Sequence, residues 1–130
     1  MRINSKLNLL FEQEKWQEAR QLLEKERVKK PNSHWVYTQL AVTFYEEKKY
    51  NDAMKLLLFS RKIKDDCPLT LWHLAGTFVA LNQIEEAKDT YTAIITSTKT
   101  PKDDPCWESD EWTKSLKDDS AVRLKEIDHV

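Results

Sequence analysis

Ala19, Ala53 and Ala87 stand 34 residues apart, and each closes a similar hexapeptide: EKWQEA, KKYNDA and NQIEEA. A repeat of this length is the signature of stacked helical hairpins, in which each hairpin buries its apolar stripe only against its neighbours. The period therefore predicts an all-α solenoid. It also moves the functional question from chemistry to binding, because a stack of this kind offers surfaces before it offers a reaction centre.

Composition supports helix throughout. The 130 residues include one glycine and four prolines, against many Leu, Ala, Glu, Lys and Gln residues that enter helices at little cost. A single glycine excludes glycine-rich phosphate loops and argues against glycine-turned β-hairpins. In the second period, Tyr37, Leu40, Ala41 and Phe44 recur at helical spacing, followed by Tyr50, Ala53, Met54 and Leu57. Small residues at Ala41, Ala53, Ala75 and Ala87 let two helices approach closely. Pro31 and Pro68 punctuate helix junctions, and Asp65 and Asp66 place negative charge before a helix N-terminus.

These signals predict helices over 3–13, 16–29, 34–47, 50–63, 69–81 and 84–97. A segment rich in Lys, Thr, Pro and Asp, 98–105, breaks the pattern. Beyond it Trp112, Leu116, Leu124 and Ile127 form a stripe with Ser120 on the same face, and Asp104-Pro105 reads as the helix start. This last helix is expected to cap the apolar side of the preceding hairpin.

The general tetratricopeptide pattern is W-x2-L-G-x2-Y, then A-x3-F, then P. The second segment offers Tyr37, Leu40, Ala41, Phe44, Ala53 and Leu57; the third offers Leu71, Leu74, Ala75, Phe78, Ala87 and Tyr91. The first is more worn, with Ile3, Leu7, Leu10, Ala19, Leu23 and Pro31. Residues 1–100 thus resemble three tandem tetratricopeptide repeats, about 1–33, 34–67 and 68–101, with 102–130 forming a linker and capping helix. The resemblance implies a right-handed superhelix.

No catalytic residues are expected. His34, His73 and His129 are scattered, no Ser or Cys sits in a nucleophile motif, and His73 lies too irregularly after Cys67 for a zinc motif. Adjacent acids such as Glu46-Glu47 and Glu85-Glu86 point in different directions around a helix. The reading is a non-enzyme with no cofactor and no metal. Cys67 and Cys106 read as two free thiols in a reducing compartment. The apolar run LNLLF near the N-terminus is too short for a signal or a membrane span, so cytoplasm is expected, with no membrane partner. With 21 basic and 22 acidic residues the net charge is −1. The basic cluster Lys25, Arg27, Lys29 and Lys30 is interleaved with Glu24 and Glu26, so nucleic acid is not expected either.

The resemblance implies a concave groove lined by the first helix of each pair. The first repeat would contribute Asn4, Asn8, Phe11 and Glu12. The second would add Trp35, Thr38, Gln39, Val42, Tyr45 and Glu46, and the third Leu69, Trp72, His73, Gly76, Val79 and Ala80. Members of this family often bind acidic C-terminal chaperone tails with two lysines, an arginine and two asparagines. Here Asn8 alone matches; the other clamp positions hold Asn4, Gln39, Leu69 and His73. An acidic tail is therefore not the expected partner. The aromatic and apolar groove suits a protein or peptide partner, in an adaptor, inhibitor or chaperone-like role. The alternative is a self-associating scaffold or homodimer, through an exposed repeat end or through Leu56 and Phe59 unless those two dock the C-terminal helix, or a fragment of a longer solenoid of the same repeats.

Overall fold

The hairpin turns show how the 34-residue period becomes structure. Glu14, Lys48 and Asn82, themselves spaced by that period, hold the left-handed conformation with φ of 56°, 62° and 58°. After each, a backbone N–H reaches back to a carbonyl five residues earlier: Lys15 to Leu10, Lys49 to Phe44 and Gln83 to Phe78 at 2.8–2.9 Å. This is the bond that closes a Schellman-type helix end and satisfies an orphan carbonyl. Of the three residues, only Asn82 belongs to the types that favour this conformation.

The structure, a computed structural model, describes residues 3–128; His129 lies outside them. Seven α-helices follow one another: α1 Ile3–Glu12, α2 Trp16–Lys29, α3 His34–Glu46, α4 Tyr50–Ile63, α5 Pro68–Ala80, α6 Ile84–Thr96 and α7 Asp110–Asp128. The first six match the expected spans to within about a residue at each end. No described helix is long and apolar enough to cross a membrane. The chain divides into two compact units, one ending at Lys64 and the other beginning at Asp65.

In the first unit, α1 pairs with α2, α2 with α3, and α3 with α4. Leu7, Ala19, Leu23, Val36 and Leu40 form a core, and Leu10, Phe11, Leu22, Trp35 and Leu56 pack against it. Polar bonds tie the hairpins together. The Arg20 guanidinium donates to Thr43 Oγ1 (3.3 Å), pairs with Glu47 (2.5 Å) and lies 4.6 Å over the Phe44 ring. Hydrogen bonding from Arg20 holds the Glu47 carboxyl below its ordinary range. Two expectations change here. Thr38, expected on the open face, is buried, 2.8 Å from Ser60 Oγ, which itself donates to the His34 carbonyl at 2.8 Å. Leu56 joins the core instead of facing outward, whereas Phe59 stays 48% exposed with its ring edge-on to Tyr37.

In the second unit, α5 packs on α6, and α7 packs on α6. Ala75 and Ala87 are fully buried with Leu74, Tyr91 and Ile94; each large side chain so buried contributes about 1.5–3 kcal/mol. Ser120 and Ile127 of the tail stripe are buried, and Trp112, Leu116 and Leu124 are half-buried. Lys88 reaches Asp128 at 3.1 Å, and Lys117 donates to the Ser97 carbonyl at 2.7 Å.

The start of the tail helix differs from expectation. Asp104 accepts from the Cys106 N–H at 2.9 Å, but it caps only a 3-10 turn, Pro105–Trp107. Glu108 at φ 48° ends that turn, and α7 begins at Asp110, with Ser109 Oγ accepting from the Trp112 N–H at 3.1 Å. The turn serves to bury Trp107, whose carbonyl accepts from Thr113 Oγ1 at 2.8 Å.

Candidate peptide-binding face

Residues on one side of a helix recur at three, four, seven and ten or eleven positions. On α3 this rule lines up Trp35, Gln39, Val42 and Tyr45, all half-buried. Their burial is partial because the inner side of α3, through Val36, Leu40 and Thr43, is the one held by α2 and the core. On α1, Asn8 is exposed and Phe11 half-buried. Phe11 and Trp35 pack on the same core cluster, so α1 and α3 bring their aromatic residues onto a common base. Neighbouring aromatics set two rings further: Trp16 stands 5.3 Å from Phe11 and Tyr50 stands 5.2 Å edge-on to Tyr45. The result is a strip with apolar bodies and polar tips at Asn8, Gln39 and Tyr45.

In the second unit α5 carries Leu69, Trp72, His73, Gly76 and Val79 along one side, all half-buried. Gly76 lacks a Cβ at the middle of this side and keeps a helical φ, so it leaves a notch without strain. Trp72 is committed to the tail helix. Its indole N–H donates to Asp119 Oδ2 at 2.7 Å, and Arg123, 2.7 Å from the same carboxylate, stacks 4.9 Å over the ring. Asp119 and Arg123 carry no signal of this role in the sequence. Their i,i+4 spacing in an acidic-basic helix is the ordinary pattern of a solvated face, and nothing local points to a tryptophan 47 residues away. His73 stands edge-on to Trp72 at 5.0 Å, and desolvation lowers its pKa to about 4. It is therefore a neutral imidazole near pH 7.

The chain matches no family profile. No curated relative matches it either. Among solved structures it is similar to the first tetratricopeptide domain of Spaghetti (RPAP3), bound to the HSP90 peptide SRMEEVD. The TM-score is 0.67 at 18% identity, and the match covers 95% of this chain and 90% of that one. The fold is that of a tetratricopeptide-repeat domain. Within this tetratricopeptide fold, the positions where the family's basic clamp is expected carry Asn4, Asn8, Gln39, Leu69 and His73. Three of them are amides, two being exposed asparagines, and can hydrogen-bond a peptide backbone; none of the five supplies a fixed positive charge at neutral pH.

Proposed function

We propose that this chain is a non-enzymatic peptide-binding module whose α1–α3 face grips an apolar or aromatic segment of a protein partner. The observation that carries this reading is the half-buried strip Phe11, Trp35, Val42 and Tyr45, whose Phe11 and Trp35 pack on one core cluster, with the amides of Asn8 and Gln39 on the same two helices. Aromatic anchors on a fixed base bind at low entropic cost, and amides beside them fix the register of a peptide backbone. The side of α5 formed by Leu69, His73, Gly76 and Val79 is read as a second strip of the same character, with Trp72 as its tail-anchored member. An adaptor, an inhibitor and a chaperone-like holder all use such a surface. A cytoplasmic setting fits the two thiols.

The peptide bound by the structurally similar domain carries two glutamates and an aspartate. Uncharged groups and a neutral His73 offer these acids no ion pair, so the ligand class here is apolar. Calorimetric titration with SRMEEVD and with apolar, aromatic-rich peptides selected from a display library tests this. The expected result is binding of the selected peptides, lost on Val42→Glu, with no measurable binding of SRMEEVD. Tight binding of SRMEEVD, unaffected by Val42→Glu, contradicts the proposal.

A further inference from the structure

Leu9 on α1 is 46% exposed and borders an open hollow of about 650 Å3, lined also by Leu10 and Leu22 and by the charged Lys6, Glu18 and Lys25. The 34-residue period says what this hollow is. Moved forward by one period, Leu9, Leu10 and Leu22 become Thr43, Phe44 and Leu56. Leu22 and Leu56 both pack on the core that includes Leu23, but in the second hairpin Arg20 of α2 also bonds the buried Thr43 and stacks over Phe44, whereas Leu9, the counterpart of Thr43, is exposed. The α1–α2 edge therefore presents the same kind of face that α2 covers on α3–α4, with Leu9 left in the open and Leu10 and Leu22 half-buried beside it.

We infer that this edge is the interface of a two-fold symmetric dimer, each copy packing its own α1–α2 edge against that of the other. Two observations favour a second copy over a foreign helix. The patch joins a short apolar stretch, Leu9, Leu10 and Leu22, to a polar rim of Lys6, Glu18, Gln21 and Lys25, so a two-fold axis can set apolar against apolar and rim against rim. It also carries both signs of charge. A two-fold axis sets Lys6 or Lys25 of one copy against Glu18 of the other, whereas a helix with one charged flank leaves like charges facing. Leu9 and its hollow lie on a different side of α1 from Asn8 and Phe11, so this inference is independent of the peptide-binding reading.

Sedimentation equilibrium over a roughly hundredfold concentration range tests it. The wild-type mass is expected to rise from 15.4 kDa toward twice that value. Leu9→Glu is expected to weaken association at least about tenfold without moving the thermal melt, because Leu9 is half in water. Glu18→Lys alone weakens it, and the full reversal Lys6→Glu, Glu18→Lys, Lys25→Glu restores it. Phe59→Glu leaves it unchanged. A wild type that stays monomeric at every concentration overturns the inference, as does a dimer indifferent to Leu9→Glu and to Glu18→Lys.

Discussion

At the scale of single residues, burial and hydrogen bonding decide which polar groups are structural and which are available. His73 has its pKa lowered to about 4 by desolvation, against an ordinary value of 6.5. The sign follows from linkage. Between these values the unfolded chain binds the proton and the folded one does not, so stability falls as pH drops from 6.5 toward 4. The expected loss is about 1–3 kcal/mol, allowing for partial exposure. His73→Gln should flatten the slope of denaturation free energy between pH 6.5 and 4.5, leaving the carboxylates, Glu47 among them, to act below that window. An unchanged slope contradicts the assignment. Trp72 carries a second test. Trp72→Phe keeps the ring but deletes the N–H to Asp119, at an expected cost of about 1 kcal/mol, and Asp119→Ala on top of it should add little. Fully additive losses in the double variant contradict the bond.

At the scale of elements, the period was legible because it is written in residues with one steric role. Alanines at 19, 53 and 87 are fully buried where helices cross. Ala53→Val or Ala87→Val should overpack that contact and lower stability by about 1–3 kcal/mol in urea melts. The turns were legible in place but not in conformation, since Glu14 and Lys48 give no sign that they adopt positive φ. Relief of that left-handed strain gives a prediction of opposite direction: Lys48→Gly should raise stability by about 0.5–1 kcal/mol, and a loss contradicts it. The tail helix was read from its stripe. Its start was not, because Asp104-Pro105 carries a start signal that a three-residue turn satisfies equally well. Thr38 and Leu56 were misplaced for a related reason. Each sits at the edge of a stripe, and only the neighbouring helix determines on which side such a residue is buried.

At the scale of the whole molecule, the alanine period and the apolar stripes sufficed to read a tetratricopeptide fold. Of the candidate site, helical spacing puts Trp35, Gln39, Val42 and Tyr45 on one side of α3; that this side is a binding face is what the resemblance to the repeat family implies. The site's commitments were not legible: Trp72 is held by two tail residues that only the packing of α7 brings near. The tail is thus part of the second unit's fabric. Deleting residues 110–130 should uncover Tyr91 and Ile94 on α6 and abolish the unit's cooperative melt; a truncated chain that melts as sharply as the whole contradicts this. The central claim, a peptide-binding face on α1 and α3, is tested most directly by titrating the 15N-labelled chain with a selected apolar peptide and following amide and tryptophan indole signals. The account predicts that the Trp35 indole and the amides of Phe11, Gln39, Val42 and Tyr45 shift together and saturably, while the buried Trp107 indole stays still. Shifts confined to Lys6, Leu9 and Leu22, or to α7, with Trp35 unmoved, contradict it.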